Sequence, residues 1–493
     1  MGPTLARIAA VAISPTMQRL SLVTFFALAA TVYQAQQGAL FSWDSDAYLI
    51  TANKLAHLFS LERGALYAPL YPLTISIPQF VGFDTLQAVQ IAWFISFLLI
   101  AGSAYILSRS VIVAAMALLF LFANEATAYH YRFAWTEMGY AALLTTAISG
   151  LFLHITDTKN KIALFVFLMT FALLPVQRYI GGYMSLLLGL IFIGYSVDRK
   201  MFLQRAGMTA LATIPSIMVV LHNYALTGHL TGERSAAESS FLQNVEFTWL
   251  TLVQSFRGEM VLVVSTIAFA LVVLIRRKKQ RKLAVLLLLL ALLPIAQVIF
   301  QNIASSLVRI DQVNERYFIV LTPIVFINAI IVASIWEPSR RWPLFIAAAS
   351  ALLANAVLGQ SDQYSPSKPS AFPALPLQQY LTSLPVSEVA LFADGTHHLW
   401  ADEVLTNEII PPSHCQSYQA IGDFSTTEAV FAPGCDDIPG HSYHPVANPN
   451  EVLDYPVVLI LPLGKYFEFV GALHSLGYGI QRIENVLIME RVQ

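Results

Sequence analysis

The chain has 493 residues, 56% of them hydrophobic and only 12% charged, with a mean hydropathy of +0.62. That composition excludes an ordinary soluble domain and makes a bilayer the natural solvent. A net charge of −2 offers no cationic excess for nucleic acid or for an anionic membrane surface.

A hydrocarbon core about 30 Å thick takes about twenty apolar residues per helix. Apolar runs bounded by charge, Pro or Gly predict eleven transmembrane helices, at 20–38, 86–107, 111–128, 138–155, 162–176, 180–196, 207–226, 259–275, 283–303, 317–335 and 343–359. Residues 1–19, with Pro3, Pro15, Arg7 and Arg19, predict a short interfacial segment, and the first apolar run is expected to remain as an uncleaved anchor. Residues 39–85 follow as a large loop in which Tyr48, Ala52, Leu55 and Phe59 recur at helical spacing, so a helix lying along the membrane surface is expected there. Near residue 360 the sequence SDQYSPSKPSAFPALP cannot continue a helix. Beyond it, Val389–Ala393, Pro456–Leu461 and Val486–Glu490 read as strands and Tyr466–Leu476 as a helix, a small α/β domain.

With the N-terminus inside, the inner segments hold 16 of the 28 Lys and Arg residues and the outer loops hold 8. The positive-inside bias therefore predicts an odd number of spans, a cytoplasmic N-terminus, and a C-terminal domain on the periplasmic or extracellular side of a plasma (inner) membrane. Cys415 and Cys435 both fall in that exported tail, where a disulfide is expected.

This topology collects mixed charges on the outer face, beside Tyr, Trp, His and Asn. Asp44 and Asp46 stand immediately after the first span. A carboxylate at a low-dielectric interface beside a second acid is suited to act as a general base on a hydroxyl. Asp is also a preferred N-cap residue, so a base and a cap are both open here, and as D-x-D the pair is a weak divalent-cation motif for Mg²⁺ or Mn²⁺. Arg178, Arg234 and Arg257 fit a phosphate-bearing lipid, because a guanidinium fork pairs phosphate at two points; snorkelling anchors are the alternative.

The string Asp44-Ser45-Asp46-Ala47-Tyr48-Leu49, followed by Ala68-Pro69-Leu70-Tyr71-Pro72-Leu73, resembles the first outer loop of GT-C membrane glycosyltransferases, in the protein O-mannosyltransferase and lipid A aminoarabinose transferase branch. Trp135-Thr136-Glu137, Arg178-Tyr179-Ile180-Gly181, His222-Asn223-Tyr224 with Leu230-Thr231-Gly232-Glu233-Arg234, and Arg316-Tyr317-Phe318 agree in order, so the resemblance spans residues 40–325. It implies a transmembrane catalytic domain over 1–360 with an extracytoplasmic α/β domain over 361–493. The implied reaction is inverting transfer of a sugar from a polyprenyl-phosphate carrier to a lipid, glycan or protein hydroxyl on the outer face. Asp44 is then the base, with Asp46 and Glu137 beside it. Tyr71, Arg178, Tyr179, Asn223, Arg234, Arg257 and Arg316 are expected at the substrate and its phosphate. No nucleotide cofactor is implied, in keeping with the lack of a Gly-rich phosphate loop. The rival is a transporter or a lipid-linked sugar flippase, which would place charges or broken helices at mid-membrane and show repeated halves. The expected spans keep Asp, Glu, Lys and Arg at their ends, and no repeat is visible.

Overall fold

The computed structural model describes residues 15–37, 39–41, 45, 48–49, 51–52, 55–56, 68–231, 237, 239–276, 281–307, 315–336, 342–358, 372–373, 388–392, 442–445, 457–460, 473–483 and 486–491. The chain opens with α1 (Pro15–Gln36) and a short strand β1 (Leu40–Phe41), then α2 (Leu70–Phe80), α3 (Thr85–Ser108), α4 (Val111–Ala123) and the single turn pair α5 (Glu125–His130). Next come α6 (Thr136–Thr156), α7 (Lys161–Gln177), α8 (Gly181–Gly194), α9 (Arg199–Ala212), α10 (Ile214–Thr227), α11 (Phe241–Ser255) and α12 (Arg257–Arg276). The helical part closes with α13 (Arg281–Ala291), α14 (Leu293–Leu307), a 3₁₀ turn at Glu315–Tyr317, α15 (Leu321–Trp336) and α16 (Trp342–Leu358).

The protein is a polytopic α-helical membrane protein. Among the described residues, six helical segments are long and apolar enough to cross a membrane: Thr85–Ser108, Thr136–Thr156, Arg199–Leu226, Arg257–Arg276, Arg281–Leu307 and Glu315–Ile335. Every apolar run read from the sequence falls on a helix. In hydrocarbon a helix is the way an open chain satisfies its own backbone donors and acceptors, so sustained apolarity and helicity go together. Two long segments are interrupted once each, before Pro215 and Pro294, whose rings remove a donor while the chain resumes its course. Helix starts carry polar caps. Asp84 accepts from the Gln87 amide at 2.7 Å while Gln87 reaches back to the Asp84 N–H, a reciprocal box repeated by Ser240 and Gln243.

The centre of the bundle is α6, packed between α3, α7 and α15. Nearly all of α6 and α15 is buried, whereas the Arg199–Leu226 segment touches α7 and α8 along one edge and leaves most of its length to lipid. The helix expected along the membrane surface is present at the described positions between 45 and 56. It is docked rather than free, with Tyr48, Leu49, Ala52 and Ala56 buried.

Five further strands belong to the tail: β3 (Glu388–Phe392), β4 (Ser442–Pro445), β5 (Val457–Ile460), β6 (Tyr478–Ile483) and β7 (Val486–Arg491), in the order β4-β3-β5-β7-β6. Strand β3 is parallel to β4 and β5, and β7 is antiparallel to β5 and β6. Three of these match the expected strands. Strands β4 and β6 were not expected, because Pro445 and Gly479 break their apolar pattern. Of the expected helix at 466–476, residues 473–475 are helical and 466–472 lie outside the described residues, as do Cys415 and Cys435.

A short strand β2 (Phe372–Pro373), just past α16, pairs antiparallel with β1 in the register Leu40↔Pro373 and Phe41↔Phe372. The pairing brings the chain that leaves the last helix back to where it left the first. The helices between β1 and β2 therefore make an even number of passages. In a background with both native cysteines replaced, cysteines placed at Gln37 and Ser240 should react with a membrane-impermeant reagent from the same side, and one at Lys159 only from the other. Labelling of all three from one side would overturn this topology.

Candidate active site

Three elements end at one place in the bundle. The first turn of α6 supplies Thr136 and Glu137, the turn between α7 and α8 supplies Arg178 and Tyr179, and the 3₁₀ turn before α15 supplies Arg316 and Tyr317. Glu137 is 1% exposed, and its Oε1 forms an ion pair with Arg178 Nη1 at 3.1 Å and accepts a hydrogen bond from Arg316 Nε. Its Oε2 accepts from Thr136 Oγ1 at 3.2 Å. Burying an ionised carboxylate costs several kcal/mol unless it is paired and hydrogen-bonded, and here both oxygens are engaged.

The arginines are held by aromatic faces as well. Arg316 Cζ lies 4.0 Å from the Trp135 ring centroid, and Trp135 is itself stacked on Phe133 with centroids 4.0 Å apart. Arg178 Cζ lies 5.3 Å from the Tyr317 ring. A guanidinium over an aromatic face keeps its charge while shedding water, which suits it to the apolar edge of a bundle.

Two tyrosines close the opposite wall. Tyr48 Oη and Thr136 Oγ1 are 3.5 Å apart, and Tyr71 packs edge-on against Tyr48 with centroids at 5.5 Å. The Tyr71 hydroxyl is buried and has no hydrogen-bond partner among the described residues. Burial first, then the neighbouring Tyr48 and Glu137, push its phenol well above the ordinary range. It is therefore a hydrogen-bond donor at any working pH, standing beside the ion cluster.

The loop carrying Arg178 is fixed by local chemistry. Pro175 has no N–H, so the Phe171 carbonyl one turn earlier loses its helical donor. Ser185 Oγ from α8 donates to that carbonyl at 3.1 Å. Gln177 Nε2 donates to the Thr136 carbonyl at 3.0 Å, tying the end of α7 to the start of α6. Asn223 Nδ2 on α10 donates to Tyr179 Oη at 2.8 Å and to the Leu230 carbonyl at 3.2 Å. Gly181 packs against the last turn of α7 so closely that a Cβ would sit 2.3 Å from the Leu174 carbonyl oxygen.

Below Tyr179 lies a cavity of about 320 Å³ between α7, α8, α9 and α10. Gly182, Ser185, Leu186 and Gly189 of α8 form one wall and Val220 of α10 the other. Tyr179 and Thr231 stand at the end nearest the ion cluster. The lining is apolar, and its small residues leave a slot beside a peripheral helix.

Of the residues expected from sequence, the structure brings Glu137, Arg178 and Arg316 into direct contact, with Tyr71 beside them and Tyr179–Asn223 adjoining. Arg257 is placed differently. It opens α12 as an exposed side chain, and its Nε donates to the Val253 carbonyl. Asp44, Asp46 and Arg234 lie outside the described residues. Among the described residues no group of three or more metal-ligating side chains occurs. Tyr48, Trp135, Gln177 and Tyr317 were not expected in the site, although Trp135 and Tyr317 adjoin motif charges in sequence.

No family model matches the sequence, and no curated protein matches it. The structure is similar to ArnT from Cupriavidus metallidurans bound to undecaprenyl phosphate, with 13% identity, a TM-score of 0.47, and 96% of this chain and 98% of that one covered. It is similar to the apo state of the same protein at a TM-score of 0.48, again with 13% identity, covering 97% and 99% of the two chains. The Archaeoglobus fulgidus oligosaccharyltransferase in complex with Zn and sulfate is similar at a TM-score of 0.45 and 11% identity, over 79% of this chain and 62% of that one.

Gly181→Ala tests the geometry of the turn. Because the obstructing atoms are backbone, the turn must shift, and a loss of about 1–3 kcal/mol of stability is expected, read as a lower melting temperature. Gly182→Ala, with open space at its Cβ, should melt like the wild type.

Proposed function

We propose that the protein is an inverting glycosyltransferase that moves a sugar from a polyprenyl-phosphate carrier to an acceptor hydroxyl on the outer face of the membrane. The observation that carries this reading is the convergence of two arginines on one buried carboxylate, beside an apolar cavity. Two guanidinium groups converge on one carboxylate at the end of the bundle, with Glu137 and Arg316 buried and Arg178 partly exposed. A guanidinium presents five N–H donors in a fixed fork, and an anion with a long hydrocarbon tail matches both the cationic groups and the cavity.

In the reaction the acceptor oxygen attacks the anomeric carbon while the bond from that carbon to the phosphate oxygen breaks. The hydroxyl proton passes to Asp44, and polyprenyl phosphate leaves with its charge growing from about −1 toward about −2. Arg178 and Arg316 stabilise that growing charge from fixed positions, which is where preorganised donors act most strongly. Glu137, expected among the catalytic acids, serves as the counter-ion that holds the two arginines, because a carboxylate with both oxygens engaged is a poor proton acceptor. Tyr71 donates a hydrogen bond to the phosphate or to a sugar hydroxyl. Asp46 assists Asp44, and the pair is the place for Mg²⁺ or Mn²⁺ if a divalent cation takes part. Arg234, outside the described residues, is assigned as a third phosphate ligand from its sequence motif alone, and Arg257 is an interfacial anchor. The positive-inside count supports the outer-face placement.

Undecaprenyl phosphate serves as the test ligand. Arg178→Lys and Arg316→Lys should each weaken its binding roughly ten- to a hundredfold through the lost charged hydrogen bond, and the Gln variants should be weaker still. Wild-type titration curves for both Lys variants would sink the phosphate assignment. Asp44→Asn should leave binding intact and lower transfer from a labelled polyprenyl-phosphate sugar by about 10²–10⁴-fold; equal transfer would remove the base.

The cavity is tested separately. Gly182→Trp fills the slot without meeting any neighbouring atom at its Cβ, so undecaprenyl phosphate should bind more weakly while the shorter farnesyl phosphate is unaffected. Equal weakening of both would show that the tail does not enter there.

A further inference from the structure

A second buried carboxylate, Glu259, takes no part in the chemistry above. It is 1% exposed in the first turn of α12, and among the described residues no basic side chain pairs with it. Its partners are neutral. Thr322 Oγ1 donates to Oε1 at 2.9 Å, and Asn124 Nδ2 donates to Oε2 at 3.2 Å. Each partner is tied onward: Thr322 Oγ1 lies 2.8 Å from Thr127 Oγ1, Asn124 Nδ2 also donates to the Ser255 carbonyl at 2.8 Å, and Asn124 Oδ1 caps α5 through the Thr127 N–H at 2.8 Å. On the far side, Gly258 lets α12 approach α16 until a Cβ would meet Asn355 Oδ1 at 2.7 Å. One carboxylate thus joins the α4–α5 junction, the α11–α12 junction and the start of α15.

Both strands of this knot lead to the arginine cluster. From α5 the chain runs through Tyr131, whose hydroxyl donates to the Ile319 carbonyl at 3.4 Å, to Trp135 beneath Arg316 and to Glu137. From Thr322 it runs back through the 3₁₀ turn to Arg316 itself. We infer that Glu259 is a positioning residue for carrier binding: its hydrogen bonds to Thr322 and Asn124 fix the spacing between the turn bearing Arg316 and the helix start bearing Glu137. This rests on the phosphate-binding reading of Arg316.

The hydrogen-bond geometry also predicts which substitution is tolerated. Asn124 cannot reverse its amide, since both ends are committed. A Gln at position 259 can accept from Asn124 with its oxygen and donate to Thr322 Oγ1 with its nitrogen, because a threonine hydroxyl both donates and accepts, and Thr322 then donates to Thr127. Ala at 259 or Val at 322 leaves polar groups orphaned.

The test uses the full chain in nanodiscs with undecaprenyl phosphate as probe. Glu259→Ala and Thr322→Val should weaken binding roughly tenfold, the scale of coupling through a packed network, while Glu259→Gln binds within about twofold of wild type on the same scale. Arg316→Gln should lose most of its own effect in the Glu259→Ala background, as coupled sites do. Amide exchange of 315–322 should speed up in the Ala and Val variants and not in the Gln variant, a readout that needs no ligand and that Thr322→Val supplies even if Glu259→Ala fails to fold. Wild-type binding by Glu259→Ala, equal damage in Glu259→Gln, an undiminished Arg316→Gln effect, or unchanged exchange would each overturn the inference. A wild-type protein that does not bind undecaprenyl phosphate, or an Arg316→Gln variant that binds it normally, would instead overturn the function reading, with the exchange data still deciding the role of Glu259.

Discussion

An ionised carboxylate cannot be left alone inside a membrane bundle, and the arrangement around Glu137 follows from that constraint. At 1% exposure it has given up its water, and only partners brought by other elements can replace it. Arg178 arrives from the end of α7 and Arg316 from the turn before α15, segments far apart in the chain. Meeting at one oxygen, they fix where α6, α7 and α15 stand relative to one another. The same contact brings two guanidinium groups together at the end of an apolar bundle, which is the electrostatic basis of the proposed anion site.

The supports of that contact show how helices made mostly of interchangeable apolar residues acquire a definite arrangement. In lipid, apolar contact alone selects weakly among packings, so small residues and hydrogen bonds carry the specificity. Pro175 frees a carbonyl that Ser185 answers, Gly181 lets α8 start against the last turn of α7, and Gln177 crosses to the Thr136 carbonyl. The Glu259 knot does for the other side of the cluster what this turn does for Arg178. Between α7–α8 and the lightly packed α9–α10 segment the small residues serve a different end, leaving a slot that no side chain fills.

Much of the helical fold was legible in the sequence because the bilayer enforces it: long apolar runs have nowhere else to go, and their ends are marked by Asp84, Ser110, Asn160, Asp198 and Ser240 at cap positions. Within the site, Glu137 and Arg316 were expected from the family resemblance, and Arg178 stood out as a charge at the end of an apolar run. Arg257 stood out for the same reason and yet turns to its own backbone, since a charge at a helix end is the signature of an anchor as much as of a ligand. Gln177 gave no signal, and Tyr48 and Trp135 stood in motifs of the resemblance without a site role, because an amide or an aromatic ring near a membrane interface is ordinary until its neighbour is known. In the tail, the apolar cores of β3, β5 and β7 were readable, while β4 and β6 became strands only through the partners that complete their hydrogen bonds.

The sequence by itself determined the solvent, the helices, the excess of basic residues on one side and the small set of charges available for chemistry. These are properties of single segments, set by local composition and by the cost of placing polar backbone in hydrocarbon. Which charges meet was decided by tertiary structure alone. The Glu137–Arg316 pair spans 179 positions and the Glu259–Thr322 bond 63, distances over which no periodicity carries information. Only the packing of α6 against α7 and α15, and of α12 against α16, sets the few ångströms that make two arginines share one carboxylate and give a second carboxylate the task of holding them in place.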